Sequence, residues 1–256
     1  MDKLGPAVGR VVALQVESSK PLAIVLAGHN GSGKSTMWQQ QLAPVLKIPL
    51  INADRMMMSI LPEPRRSGAL PDWAQQLRDE DQSWMRVAQK GVEAFVAQAL
   101  ANKVPFAMET VFSYWQPQVD GTVASKIDQI RQMQAEGYYV VLFFVGLSSA
   151  ELSIARVETR VHRGGHAVDP QKLVERFPRT QKAINQALQV VDAAILVDNS
   201  RDREVAFTVC HVRAGNEALF DWRNIADAPP PTSVLAWLDL VAPREADPPA
   251  DQGKVE

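Results

Sequence analysis

Gly28-His29-Asn30-Gly31-Ser32-Gly33-Lys34-Ser35-Thr36 satisfies the pattern G-x-x-x-x-G-K-[ST] at every fixed position. Glycines let such a loop curl tightly enough for its N–H groups to surround phosphate oxygens. The helix that must follow adds unpaired donors and a partial positive charge. Lys34 is then in reach of β and γ phosphates, and the Ser35 hydroxyl is a ligand for Mg²⁺. Together these residues predict a nucleotide-binding site.

A phosphate loop does not say where the phosphate goes. Asp54 follows Lys34 by twenty residues and is expected at the C-terminal end of a second strand. In open parallel sheets that edge faces the ligand crevice. An aspartate there can take the proton of an attacking hydroxyl, or it can cap a helix from Arg55 onward. Glu109 and Thr110 end a third strand at the same edge, where they can grip substrate hydroxyls, support metal-bound water or cap the next segment. From Arg156 to Lys182 seven basic residues (Arg156, Arg160, Arg163, Lys172, Arg176, Arg179, Lys182) stand against Glu158, Asp169 and Glu175, a local charge of +4. With Gly164 and Gly165 as a hinge, this stretch reads as a basic lid that neutralises charge on a transferring phosphoryl group. A solvated helix face is the plainer alternative.

These groups need a scaffold that gathers strand ends. PLAIVLAG, closed by Gly28, reads as a strand buried on both faces, followed by a helix from about Lys34 that ends before Pro44. IPLINAD (48–54), VPFAMET (104–110), YYVVLFFVGL (138–147) and DAAILVDNS (192–200) supply four more strands. Helices are expected at 84–99, at about 117–136 with Gly137 as the stop, and at about 149–162, begun by a Ser148/Glu151 capping box. Asp169-Pro170 marks the start of another helix, and 206–220 resembles a hairpin. Residues 61–81 look like a partly helical excursion. Alternating strands and helices predict an α/β fold: a mostly parallel sheet, flanking helices and a helical lid at about 149–190. One domain is expected over 1–226, then a proline- and charge-rich tail over 227–256 in which VLAWLDLV can form a short docked helix.

Composition narrows the function class. The chain has 256 residues, with 27 basic against 29 acidic, for a net charge of −2. Near-neutrality argues against a nucleic-acid track or a membrane-surface protein. The longest apolar run, 138–147, is about half of the ~20 residues a membrane helix needs. The single Cys210 allows no internal disulfide and suits a reducing cytoplasm. Four histidines without metal spacing give no zinc site, and no LSGGQ-like signature supports a transporter ATPase. Small-molecule kinase, antibiotic or polynucleotide kinase, and nucleotide-dependent regulatory protein remain as classes.

GHNGSGKST, INAD, METVFS, RVHRGGHAVDPQKLVERFPRTQKAINQAL and ILVDNS, in that order over roughly residues 20–200, resemble the zeta-toxin-like kinases and their relatives known as predicted ATPases. The resemblance implies transfer of a phosphoryl group from ATP or GTP to a hydroxyl. In characterised zeta toxins the acceptor is the 3′-hydroxyl of UDP-N-acetylglucosamine, and an antitoxin protein restrains the enzyme. It further implies that Lys34 is the phosphate-loop lysine, Asp54 the base and Glu109 a substrate-binding carboxylate. Arg163 and Arg176 best match two lid arginines on the γ-phosphate, with Arg160 and Arg179 competing for those places. His29 stands where close relatives tend to carry proline.

Overall fold

The computed structural model describes residues 4–63, 70–162, 165 and 167–244. Leu4, Ala7, Val8 and Val11 recur at helical spacing and are the buried stripe of α1 (Leu4–Ser18). This helix is absent from the sequence expectation because Gly5, Pro6 and Gly9 interrupt its pattern with residues that usually end helices. β1 (Leu22–Gly28) follows, buried along its whole length. The phosphate loop then leads into α2 (Lys34–Met37), which widens to a π-turn over Trp38–Leu42 and resumes as α3 (Ala43–Leu46). Pro44 therefore sits in the first turn of a resumed helix, where its missing N–H costs nothing, and does not terminate it.

β2 is only Leu50–Ile51, shorter than IPLINAD suggested, because Asn52 already caps α4 (Ala53–Ile60). Two helices, α5 (Asp72–Asp79) and α6 (Gln82–Ala101), fill the next stretch; residues 64–69 of the expected excursion lie outside the described residues. β3 (Phe106–Thr110) leads into a small hairpin, β4 (Trp115–Pro117) and β5 (Val123–Ser125). The helix expected from 117 begins only at α7 (Ile127–Ala135), since Pro117 and the Asp120-Gly121 turn, with Gly121 at φ 81°, favour the hairpin. β6 (Tyr139–Gly146) and α8 (Ala150–Val161) come next. The cap of α8 is Ser149, whose hydroxyl accepts from the Leu152 N–H at 3.3 Å, not the expected Ser148. α9 (Pro170–Ala187), capped by Asp169, precedes β7 (Ala193–Asp198), the hairpin β8 (Thr208–Ala214) and β9 (Glu217–Asp221), and finally α10 (Thr232–Val241).

The main sheet runs β2-β3-β1-β6-β7-β8-β9, parallel through β7 and antiparallel over its last two strands. Alternate residues of β1 enter opposite layers. Ala23, Val25 and Ala27 face a core shared with α7, α9 and α10, while Leu22, Ile24 and Leu26 face one shared with α1 and α2. Helix α10 belongs to the body: Trp237 is buried edge-on to Phe144 at 5.7 Å, and Gly146 leaves room for its ring. The proline-rich stretch after Ala226 thus returns to the core, and residues 245–256 lie outside the described residues.

The register matters most for function. Leu26 pairs with Glu109, Ala27 with Thr110 and Gly28 with Val145, so the ends of β3 and β6 flank the start of the phosphate loop.

Candidate active site

The loop from Gly28 to Gly33 has no space for side chains at its glycines. A Cβ on Gly28 would lie 2.6 Å from the Val145 carbonyl oxygen. One on Gly33, at φ 93°, would lie 2.6 Å from Asn199 Nδ2. Neighbouring elements pin the loop: Ser153 Oγ of α8 donates to the Asn30 carbonyl at 2.7 Å, and Asn199 Nδ2 donates to the Ser32 carbonyl at 2.8 Å. Lys34 Nζ lies buried under the loop and donates to the carbonyls of Gly28 (3.0 Å) and His29 (2.9 Å). Burial lowers the Lys34 pKa from the usual lysine range; Glu109 and Asp54 oppose this, and Arg160 adds to it. Three expected site residues are therefore close enough to act on Lys34 by charge.

Glu109 closes the far side. Ser35 Oγ lies 3.0 and 3.1 Å from its two carboxylate oxygens, and Asn52 Nδ2 donates to one of them at 2.7 Å. Among the described residues no group of three histidine, cysteine or acidic side chains could cage a metal. One hydroxyl and one carboxylate nonetheless suit Mg²⁺, which keeps waters and phosphate oxygens for its remaining positions. Asn52 also accepts from the Arg55 N–H at 3.0 Å. This frees Asp54 from capping: it stands exposed in the first turn of α4, three residues beyond Ile51 and so past the strand end expected for it.

The remaining expected residues are distributed unevenly. Thr110 Oγ1 accepts from the Phe112 N–H at 3.1 Å, supporting a turn in which Phe112 is held at φ 64°. Arg176 is half-buried on α9. Arg179 is turned onto Glu175 at 3.5 Å and is nearly half exposed. Arg163 and Gly164 lie outside the described residues. Beyond Gly33 and Thr36 a cavity of about 490 Å³ opens between Gln40, Arg156, Asn199, Arg201, Arg203 and Phe207. The Arg201 guanidinium is fixed there by Asp198 (3.0 Å), Thr208 (2.7 Å) and the Trp222 ring.

The zeta toxin family model matches residues 8–209, most of the chain. The chain belongs to the zeta toxin family. An uncharacterised protein of Haemophilus influenzae is 29% identical over 148 residues, 57% of this chain and 85% of that protein. The fold is similar to the structure of the PezAT toxin–antitoxin system of Streptococcus pneumoniae, with TM-score 0.50 and 14% identity over 96% of this chain and 91% of that one. It is also similar to the AvrRxo1-ORF1:AvrRxo1-ORF2 complex, at TM-score 0.57 and 15% identity over 94% and 71%, and to the same complex with ATP, at 0.55 and 16% over 93% and 69%. No helix among the described residues of this zeta toxin family member is long and apolar enough to cross a membrane.

No pattern in the sequence assigns a role to Asn52, Ser153, Asn199 or Arg201. INAD and DNS carry two of them in plain view, yet their partners lie 57 and 167 residues away. His29 is a further case. It is 3% exposed, and burial, reinforced by the Lys34 charge, lowers its pKa from 6.5 to about 3. Below pH 6.5 the unfolded chain therefore takes up a proton that the folded chain refuses until about pH 3. Stability should fall with acidification across that window, by about 1.4 kcal/mol per pH unit from this group alone. Urea unfolding followed from neutral pH to about pH 5 will show the slope, and His29→Phe should flatten it by that one-proton share.

Proposed function

We propose that this protein is a kinase that transfers the γ-phosphoryl group of ATP or GTP, with Mg²⁺, to a hydroxyl of a small molecule. A nucleotide sugar such as UDP-N-acetylglucosamine is the first acceptor class to try. The observation that carries the reading is the hydrogen-bonded set Ser35–Glu109–Asn52 beside Lys34, with Asp54, in the first turn of α4, near enough to act on Lys34 by charge. Backbone N–H groups of residues 28–36 cradle the phosphates. The cavity beyond Thr36 takes the nucleoside half, with the Arg201 plane held ready at its wall. Ser35 and Glu109 would hold Mg²⁺, which would supply neutralisation of phosphate charge. Lys34 orients the γ-phosphoryl group, and Asp54 takes the acceptor's proton. Arg163 and Arg176 supply positive charge from the lid side, with Arg160, whose charge is felt at Lys34, and Arg179 as the alternatives.

The PezAT structure comes from a toxin–antitoxin system, and an antitoxin partner belongs to the same proposal. Purified protein with Mg²⁺ and ATP or GTP should release nucleoside diphosphate only when a suitable hydroxyl acceptor is added. Mass spectrometry should find that acceptor heavier by one phosphate. Tight nucleotide binding with no acceptor-dependent release, across nucleotide sugars, nucleosides and aminoglycosides, would refute the reading.

A further inference from the structure

His29 belongs to two structures at once. Its carbonyl accepts from Lys34 Nζ at 2.9 Å, so its backbone is tied to the ammonium that a triphosphate would engage. Its ring stacks on Phe177 of α9, with centroids 3.9 Å apart and planes 11° apart, while Phe144 meets it edge-on at 5.8 Å. The ring is buried, and Nε2 has no hydrogen-bond partner. An aliphatic side chain would fill the same space without a buried unpaired nitrogen, which costs free energy. What the imidazole adds is a flat face that can stack.

Helix α9 changes character at the same point. From Thr180 onward it is core: Thr180, Gln181, Ala183, Ile184 and Ala187 are buried, and Thr180 Oγ1 donates to the Val111 carbonyl at 3.4 Å. Before Phe177 only Leu173 is buried, and this half carries Arg176. Pro178 lies between the halves. Lacking an N–H, it removes the helical hydrogen bond to the Val174 carbonyl and crowds that carbonyl, which makes this the place where the helix bends most easily.

We infer that His29 is a positioning residue that ties the N-terminal half of α9 to the phosphate loop, so that a nucleotide engaging Lys34 sets where Arg176 stands. A triphosphate that draws Lys34 Nζ toward itself weakens the bond to the His29 carbonyl, and the loop backbone shifts. Stacked rings lose much of their attraction over a gap of about 0.5–1 Å, so Phe177 follows the imidazole. The C-terminal half of α9 is held by the core, and the movement is taken up at Pro178. This inference rests on the nucleotide-binding part of the proposed function and not on the acceptor.

Hydrogen exchange on the full chain, with and without Mg²⁺ and the non-hydrolysable analogue AMP-PNP, tests it. In the unmodified protein the analogue should slow exchange at residues 28–36 and at 171–177 together. Phe177→Leu and His29→Ala should keep the slowing at 28–36 but lose most of it, about fivefold, at 171–177. His29→Phe, which keeps a ring, should retain both. In turnover the ringless variants should lower kcat about tenfold while KM for nucleotide moves less than about threefold. Slowing at 171–177 that survives in both ringless variants overturns the inference. Slowing at 28–36 alone in the unmodified protein overturns it as well and leaves the nucleotide site standing. No slowing anywhere overturns both.

Discussion

Replacing Asp54 with asparagine is expected to lower phosphoryl transfer about 10³-fold while nucleotide affinity stays within about threefold. Asparagine has the same shape and cannot take a proton. The site tolerates the change structurally, because Asp54 is exposed and the cap of α4 is Asn52. The carboxylate's favourable interaction with the helix N-terminus is worth about 0.3–1 kcal/mol, too little to unfold the domain. Its charge acts on Lys34 only as the weakest of four influences, so phosphate binding should change little. Single-turnover transfer and calorimetric nucleotide affinity, measured on the same sample, separate the two effects. Transfer within tenfold of the unmodified rate would remove Asp54 from the role of base.

Glu109→Gln is expected to lower kcat about 10²–10³-fold and to raise the Mg²⁺ concentration needed for half-maximal rate about tenfold. The residues alone leave Glu109 open to gripping substrate hydroxyls or supporting metal-bound water, and the family resemblance implies a substrate-binding carboxylate. Its contact with Ser35 Oγ, at 3.0 and 3.1 Å, is the reason the proposed reading sets it on the metal side of the phosphates. Glutamine can still accept from Ser35 and Asn52, so the local structure should survive the loss of charge. Titrating Mg²⁺ and acceptor separately distinguishes the two roles. A raised acceptor KM with an unchanged Mg²⁺ requirement would return Glu109 to the substrate.

The parts of this protein that were legible in sequence are those whose cause is local. A strand closed by glycine, a loop of fixed spacing and a helix start lie within fifteen residues, 22–36, and each dictates its neighbour's backbone. Buried strands such as 139–146 announce themselves by unbroken apolarity, and the Asp169-Pro170 helix start by its cap. Misreadings occurred where a local signal had two outcomes. Pro44 reads as a stop and is a restart, and 117–126 has enough polar residues for a helix but turns at Asp120-Gly121. Glycines hid α1, whose four buried residues earn their places only by packing beneath the sheet.

The sequence by itself determined the phosphate loop, the α/β class and the three carboxylate and lysine positions on which the proposed chemistry depends, because backbone periodicity and glycine geometry are written in short stretches. Only the tertiary structure decided what those side chains do to one another. Parallel pairing of β1 with β3 set Glu109 against Ser35 across 74 residues, and the packing of α9 laid Phe177 on His29. Contacts of that span depend on strand register and helix placement, which the whole core sets at once and no local pattern encodes.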